Sequence, residues 1–345
     1  MSDFNPSGVG IKNGNIFGFP YTKEEADLVI MPVPWDATAS YTKGTSKGPQ
    51  AILDASVQLD FYHPFCADAW KSKLYMEPIS LEIETLNAAC CEKTIPYIKF
   101  LEEGGNINSS PQFKKVLDEV EEHQNTLKNI IKTNALEYIK QGKIPAILGG
   151  EHSTPLGLIE AMSEHYNSFG ILQIDAHADL RDSYEGFTQS HASIMFNAIK
   201  LPNLVRLTQV GIRDICQDEI DIINDSEVIS TFFDWQMKSA IYDGTSTWGK
   251  IVDNIIKSLP QNVYISFDID GLKPYLCPNT GTPVPGGLEF EEVAYLLRKL
   301  VESGKKIIGF DLNEVAPGND EWNANVGARV LWYLSVYALK SNGKI

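Results

Sequence analysis

Six potential metal ligands form three short clusters, and each cluster follows an apolar stretch of the sequence. They are two histidines and four aspartates: His152; Asp175, His177 and Asp179; and Asp268 and Asp270. Imidazole with carboxylate suits manganese, iron, cobalt or nickel, and no nearby cysteine supplies the thiolate typical of zinc sites. A pair of such ions about 3.5–4 Å apart lowers the pKa of a shared water and supplies hydroxide at neutral pH. The ligand set therefore predicts a hydrolytic centre with two divalent ions.

The spacing within the clusters supports this interpretation. Asp175, His177 and Asp179 lie at positions i, i+2 and i+4, so on an extended chain their side chains share one face. Asp268 and Asp270 repeat the pattern. Carboxylates gathered there repel one another and lose hydration unless a cation lies between them. Bridging ligands are expected among the carboxylates. The alternative is that the carboxylates are helix caps and turn residues and that His152 and His177 are core histidines. It would suit one cluster alone, but it does not explain why so many negative charges lie in one place.

Apolar, non-alternating stretches typical of buried parallel strands recur along the chain. They are Leu28–Val33, Ala146–Leu148, Gly170–Ile174, Leu207–Val210, Val263–Phe267, Lys306–Phe310 and, more weakly, Val228–Phe233. Helical patterns cover Phe113–Gln141, Thr154–His165, Trp248–Ser258, Phe290–Ser303 and Gly327–Leu339. This alternation predicts an α/β fold with a parallel sheet covered on both faces. We predict a single domain over 1–345, in which the less regular segment 60–108 is an insertion over the sheet edge or a lid.

The three ligand clusters each begin where a predicted strand ends. His152 follows Ala146–Leu148, Asp175 follows Gly170–Ile174, and Asp268 follows Val263–Phe267. Ligands of open parallel sheets bind at the carboxyl ends of the strands. We therefore expect the three clusters to meet on one rim of the sheet.

Charge and composition exclude several classes of partner. The net charge of −16 argues against nucleic acid and anionic membranes. No apolar run reaches the roughly 18 residues that span a bilayer, and the N-terminus does not resemble a secretion signal. The five cysteines include the adjacent pair Cys90 and Cys91, and do not form a disulfide framework. Reduced thiols in the cytoplasm are the simpler interpretation.

The clusters read GGEHS, DAHAD and SFDIDG, and they resemble the metal-binding signatures of the ureohydrolase superfamily, the arginase and agmatinase group. Other segments are similar to that family's signatures: Gly44–Ser56, Asn279–Pro283, Asp311–Pro317 and Gly327–Arg329. The resemblance covers most of the chain from about Leu28 onward. It implies an arginase-like, three-layer α/β/α fold with a central parallel sheet and two Mn²⁺ ions, with Ni²⁺ or another divalent ion as the alternative. It also implies hydrolysis of a guanidino compound to urea and an amine, by a homo-oligomer, usually a trimer or hexamer.

The same resemblance assigns roles to individual residues. It implies that the six clustered residues are the metal ligands, with Asp179 also counted as catalytic. His191 matches the proton-shuttling histidine, and a histidine with a pKa near ~6.5 is suited to protonating an amine leaving group. Glu314 matches the glutamate that receives the guanidinium, which a carboxylate can hold by paired hydrogen bonds. Without the resemblance, Glu314 would be interpreted as a capping or salt-bridge residue, and His191 as a solvent-exposed loop histidine.

The loop after the second cluster bears on the substrate. Arg181 stands where arginases place an asparagine, and the loop resembles that of agmatinases more closely. Asp182 and Glu185 suit a positively charged tail, whereas Arg181 would suit a carboxylate tail as in guanidinobutyrate. Thr282 is a further candidate substrate contact. Agmatine is the first expectation, followed by other guanidino acids, arginine and guanidine.

Two other functions are compatible with a dinuclear site. A two-metal phosphoesterase needs cations that hold phosphate charge, and Arg181 and Lys273 are the candidates near the rim. A non-catalytic metal-binding regulatory protein of the same fold would be indicated by the loss of a ligand, but all six ligand positions are filled.

Overall fold

The computed structural model describes residues 4–345, except for the side chain of Asn108. Within this range, eight strands form one sheet: β1 Leu28–Val33, β2 Leu74–Met76, β3 Ile144–Gly149, β4 Phe169–Ile174, β5 Leu204–Val210, β6 Ile229–Phe232, β7 Asn262–Asp268 and β8 Lys306–Asn313. Their order across the sheet is β2-β1-β3-β8-β7-β4-β5-β6. All seven pairings between neighbours are parallel. The parallel sheet expected from the sequence is confirmed.

Helices cover both faces of the sheet. They are α1 Gly48–Ser56, α2 Leu81–Glu102, α3 Pro111–Lys140, α4 Leu156–His165, α5 Ile194–Ala198, α6 Gln217–Asp225, α7 Asp234–Tyr242, α8 Trp248–Ser258, α9 Phe290–Glu302 and α10 Trp322–Ser341. Strand side chains alternate between two apolar cores: Leu28 and Ile30 belong to one, Val29 and Met31 to the other. This gives the expected three layers. None of the described helices is long and apolar enough to cross a membrane.

The strands predicted from the sequence are all present, and most are longer than predicted. Strand β8 continues three residues beyond Phe310 because Asp311 and Asn313 are fully buried, although their polarity suggests a loop. Edge strand β2 was missed, since it has only three residues. The 22-residue helix α2 was also missed, because Pro96 and a weak amphipathic pattern obscure it.

The segment 60–108 contains both of these missed elements. Strand β2 extends the sheet by pairing with β1, and α2 packs against α3. From α2, Asn87 reaches Asp36 in the loop that follows β1. The interpretation of this segment as an insertion or lid, and of the chain as a single domain, stays a prediction.

An aromatic cluster packs Phe17 and Phe19, near the N-terminus, against helix α10. The Trp332 ring lies 5.3 Å from that of Phe17, 6.0 Å from that of Phe19 and 5.5 Å from that of Phe61, between ring centroids. Trp332 is buried, and α10 packs on β8. The cluster therefore supports β8, the strand that Glu314 directly follows.

We expect Trp332→Ala to lower the free energy of unfolding by about 3–5 kcal/mol, because it leaves a large cavity among the aromatic rings. Urea denaturation of the two proteins measures this difference. Tyr62→Ala is the control, since this ring follows Phe61 in the chain but is 85% exposed. Its effect should stay within about 0.5 kcal/mol. Equal losses in the two variants would contradict the assigned packing.

Candidate metal centre

The candidate site is assembled at the carboxyl ends of the four central strands. These strands are adjacent in the order β3-β8-β7-β4. His152 lies three residues after β3, Glu314 follows β8, Asp268 ends β7, and Asp175 follows β4. The expectation that the three clusters meet on one rim is confirmed, and Glu314 joins them there.

The first group of converging atoms surrounds His152. Its Nδ1 lies 3.0 Å from a carboxylate oxygen of Asp175, 3.0 Å from one of Asp179 and 3.4 Å from one of Asp268. This nitrogen is buried and has no hydrogen-bond partner. On the other side of the ring, Nε2 lies 2.8 Å from the hydroxyl of Ser266, which itself donates to Asp311. A proton therefore belongs on Nε2. Although burial opposes this, the carboxylates of Asp175 and Asp179 raise the pKa of His152 well above its usual range, so the position facing Nδ1 is one for a positive charge, either a proton or a metal ion.

The second group contains His177, Asp270 and the same Asp175. His177 Nδ1 lies 3.0 Å from Asp270 Oδ2, a buried oxygen with no hydrogen-bond partner, and 3.7 Å from Asp175 Oδ1. Asp175 Oδ2 faces His152 while Oδ1 faces His177. Asp175 is thus positioned to be shared between two ions.

The electrostatics of these groups favour a cation. Burial raises the pKa of Asp179 to about 7, and the negative charge of Asp175 contributes. Burial also raises the pKa of Asp268 well above its usual range, with Asp270 and Asp175 adding to the effect. Contacts near 3 Å are what adjacent ligands of an octahedral ion at ~2.1 Å would show. Two ligand atoms without hydrogen-bond partners, one of them a histidine nitrogen, and the crowded carboxylates around them fit two divalent ions.

The local backbone differs from the extended chain expected for these clusters. Asp179 has a left-handed φ of 55°, and Asp270 lies in a short 3-10 turn, Ile269–Gly271. Asp175 accepts a hydrogen bond of 2.7 Å from the His177 N–H, and Asp268 accepts one of 2.8 Å from the Asp270 N–H. These side-chain turns curl the chain so that each cluster wraps around a point instead of lining one face.

A layer of buried polar residues behind the ligands was missed in the sequence analysis. Asp311 accepts hydrogen bonds from Tyr264 at 2.6 Å and from Ser266 at 3.1 Å. Gln173 donates to Asp175 at 2.8 Å and accepts from Gln209 at 2.7 Å. Such partners fix the orientation of ligands. The available signal was polar residues within otherwise apolar strands.

Glu314 has an unusual backbone that places its carboxylate at the rim. Its φ is 63°, a left-handed value that costs about 1–3 kcal/mol and persists only where the surrounding structure enforces it. The enforcing contacts are a hydrogen bond of 2.8 Å from its N–H to the Gly150 carbonyl, and one of 2.8 Å from the His152 N–H to Glu314 Oε1. A Cβ at Gly281 would lie 3.2 Å from Oε2. Glycine there leaves space beside this oxygen.

His191 lies beside the ligands with a defined orientation. Its Nδ1 is 3.1 Å from the Thr38 carbonyl oxygen, and its Nε2 is 3.3 Å from the Ser40 hydroxyl. A carbonyl only accepts, so Nδ1 carries the proton and the lone pair of Nε2 accepts from the Ser40 hydroxyl. Burial lowers the pKa of His191 to about 4, with the positive charge of His177 contributing. The ring is therefore neutral near pH 7, unlike the titrating histidine assumed from the sequence.

A cavity of about 170 Å³ opens next to these residues. Its walls include His177, Asp179, Arg181, Tyr184, His191, Asp214, Glu219 and Thr282. Arg181 and Thr282 therefore lie where a substrate tail would pass. Asp182 does not: its side chain is 84% exposed, 4.0 Å from Lys200, and forms no part of the cavity wall. Of the acidic residues in the wall, Asp179 and Glu219 are buried, and the exposed one is Asp214, which the sequence analysis did not single out.

Comparison with known proteins identifies the class. The model of the arginase family matches residues 26–336, and the chain therefore belongs to the arginase family. It is a ureohydrolase, a hydrolase that acts on carbon–nitrogen bonds of amidines.

The relatives are named more narrowly. The chain is 31% identical to the N(1)-aminopropylagmatine ureohydrolase of Thermus thermophilus, over 92% of this chain and 91% of that protein. It is 28% identical to the agmatinase of Bacillus subtilis, over 89% and 90% respectively. Among solved structures, the agmatine ureohydrolase of Thermoplasma volcanium has a TM-score of 0.72 at 24% identity, covering 94% of both chains. Arginase from Bacillus cereus has a TM-score of 0.65 at 21% identity, covering 90% of this chain and 98% of that one.

We expect Asp270→Asn to weaken binding of one of two ions by more than about 10-fold, because losing even an outer partner of a ligand costs about 10–100-fold in affinity. Metal analysis after dialysis against limiting manganese measures this. Asp214→Asn is the matched control: its carboxylate lies 3.9 Å from His177 Nε2 but belongs to neither group of converging atoms. Full metal content in Asp270→Asn would remove this residue from the ligand set.

Proposed function

We propose that this protein hydrolyses agmatine to urea and putrescine with two Mn²⁺ ions. The proposed ligands are His152, Asp175, His177, Asp179, Asp268 and Asp270. Ni²⁺ or another divalent ion is the alternative, since the same donors suit it. Action in the cytoplasm stays a prediction from the cysteine pattern, and assembly as a trimer or hexamer stays a prediction from the family resemblance.

The charge of the cavity wall is the observation that carries the choice of substrate. Asp214 is 68% exposed at the cavity, with His177 Nε2 3.9 Å from its carboxylate, and it can receive the ammonium of a tail. Arg181 is not an equivalent site for a carboxylate tail. Its guanidinium stacks 4.8 Å from the centre of the Tyr184 ring, and its Nε lies 4.0 Å from a Glu219 carboxylate oxygen. A cationic tail is therefore favoured over guanidinobutyrate or arginine.

The chemistry follows from the positions of three side chains. Two bound divalent ions would lower the pKa of water enough to supply a nucleophile at neutral pH. Glu314 Oε1 is held by the His152 N–H, which leaves Oε2, beside Gly281, to accept hydrogen bonds from the guanidinium. Asp179 borders both the ligand group and the cavity, where it can accept a proton from the attacking water. His191, neutral and unprotonated at Nε2, can take up that proton and pass it to the departing amine.

A second candidate is the longer substrate N(1)-aminopropylagmatine. A relative of that name is 31% identical to this chain over 92% of its length. The reaction would be the same, and the additional amine would extend along the cavity past Asp214 toward solvent. The two substrates differ only in the tail, so the ligand groups, Glu314 and His191 do not distinguish between them.

We expect the manganese-loaded protein to release urea from agmatine with a higher kcat/KM than from guanidinobutyrate, arginine or guanidine. N(1)-aminopropylagmatine and nickel loading are tested in parallel. Asp214→Asn should raise KM for agmatine about 2–5-fold, the size expected for an exposed ion pair. Guanidine, which has no tail, is the matched control and should be insensitive to this substitution. Urea from none of the compounds would reject the proposal, and preference for guanidinobutyrate would reject the cationic tail.

We expect His191→Ala to lower kcat by about 10²–10⁴-fold, the usual contribution of a general acid–base group. Metal content should remain at the wild-type value, because His191 belongs to neither group of converging ligand atoms. Urea release and metal analysis on the same preparation test both points. Loss of metal in this variant would make His191 a ligand and not a proton carrier.

A further inference from the structure

Glu151 lies next to His152 in the chain, yet its carboxylate belongs to neither group of converging ligand atoms. The side chain is fully buried. It accepts hydrogen bonds from the backbone N–H of Thr38 at 3.0 Å, from the Thr38 hydroxyl, and from the Ser153 hydroxyl at 2.6 Å. Three donors satisfy this buried carboxylate, two of them from a residue 113 positions away in sequence. Glu151 therefore connects the end of β3 to the loop after β1.

That loop, residues 36–46, is also closed at its base. Asp36 Oδ2 accepts hydrogen bonds from the Gly44 N–H at 2.9 Å and from the Ser46 hydroxyl at 2.8 Å. Lys43 Nζ donates to the carbonyls of Asp36 at 2.7 Å and Ala37 at 3.1 Å. These contacts define the shape of the loop, while the contact between Thr38 and Glu151 fixes its position relative to the sheet.

The 36–46 loop in turn holds His191. The Thr38 carbonyl accepts the Nδ1–H of His191 at 3.1 Å, and the Ser40 hydroxyl lies 3.3 Å from Nε2. Thr38 therefore links the two side chains. Its N–H and hydroxyl donate to Glu151, and its carbonyl accepts from His191. The two hydrogen bonds between Thr38 and Glu151 are buried, and the one between Thr38 and His191 is partly buried.

We propose that Glu151 is a positioning residue for the hydrolysis: by binding Thr38 twice, it fixes the carbonyl that orients His191, and so directs Nε2 into the cavity. This inference rests on the proposed role of His191 as proton carrier. A proton carrier must be held close to its working position, and a displacement of about 1 Å costs roughly 100-fold in rate. Glu151 does not touch the substrate itself.

The first test removes one hydroxyl. Thr38→Val keeps the volume but deletes the Thr38 hydroxyl bond to Glu151, and we expect kcat with agmatine to fall about 10-fold or more, with KM within about 2-fold of wild type. Metal content should not change. Thr38→Ser restores the hydroxyl and should restore kcat. Thr45→Val is the matched control, because Thr45 is equally buried on the same loop and its hydroxyl has no hydrogen-bond partner.

The second test asks whether the effect passes through His191. In a His191→Ala background, Thr38→Val should cause no further loss of kcat, since residues that act as one unit are not additive. Glu151→Gln, if it folds, should show the same loss of kcat as Thr38→Val and keep its metals bound. The double variant Thr38→Val with Glu151→Gln should be no slower than Glu151→Gln alone. Three outcomes would each overturn the proposal. They are a wild-type kcat in Thr38→Val, a full loss of kcat from Thr38→Val in the His191→Ala background, and loss of metal in Glu151→Gln.

Hydrogen–deuterium exchange separates this inference from the proposed function. In the manganese-loaded protein, amides of residues 36–44 should exchange faster in Thr38→Val than in wild type or Thr45→Val. This readout does not depend on turnover. Urea from no guanidino compound would reject the proposed function while the exchange result still tests the Glu151–Thr38 connection. Unchanged exchange in Thr38→Val would reject the connection even in a fully active enzyme.

Discussion

Repulsion between buried carboxylates governs the centre of this structure. Asp175, Asp179, Asp268 and Asp270 lie within one small volume at the ends of the central strands, where water is largely excluded. Charges so placed are stable only when protonated or when paired with cations. The raised pKa of Asp179 and Asp268 shows the tendency of these carboxylates to hold a proton. His152 Nδ1 and Asp270 Oδ2, which have no hydrogen-bond partner, indicate pairing with cations instead.

The surrounding structure can be understood as support for that concentration of charge. Backbone N–H groups of His177 and Asp270 fix the carboxylates of Asp175 and Asp268, and Gln173 holds Asp175 from below. The left-handed conformation of Glu314 is enforced by Gly150 and His152. The result is a site whose side chains have little freedom before any ligand arrives, as pre-organised catalysis requires.

The sequence predicted the parallel sheet and the meeting of the ligand clusters, because both follow from apolar stretches and from the residues that come directly after them. It failed where orientation depends on the tertiary environment. Residue spacing did not reveal that Asp182 points to solvent while Asp214 borders the cavity. It also did not reveal that Asp311 and Asn313 extend β8, since a polar residue in a strand is explained only by its buried partners. The turns at Asp179 and Asp270 needed φ values that no period-two pattern contains.

The position of β8 has a consequence for how the protein is made. This strand is the last of the described strands in the chain, but it lies in the middle of the sheet, between β3 and β7. During synthesis, β2-β1-β3 and β7-β4-β5-β6 can form only as two separate sheets with open apolar edges, because the strand that joins them is still in or near the ribosome. Such edges are prone to aggregation until they are paired. The nascent chain therefore has its greatest need of chaperones until β8 has left the ribosome, and Glu314 reaches the rim only in the step that joins the two halves.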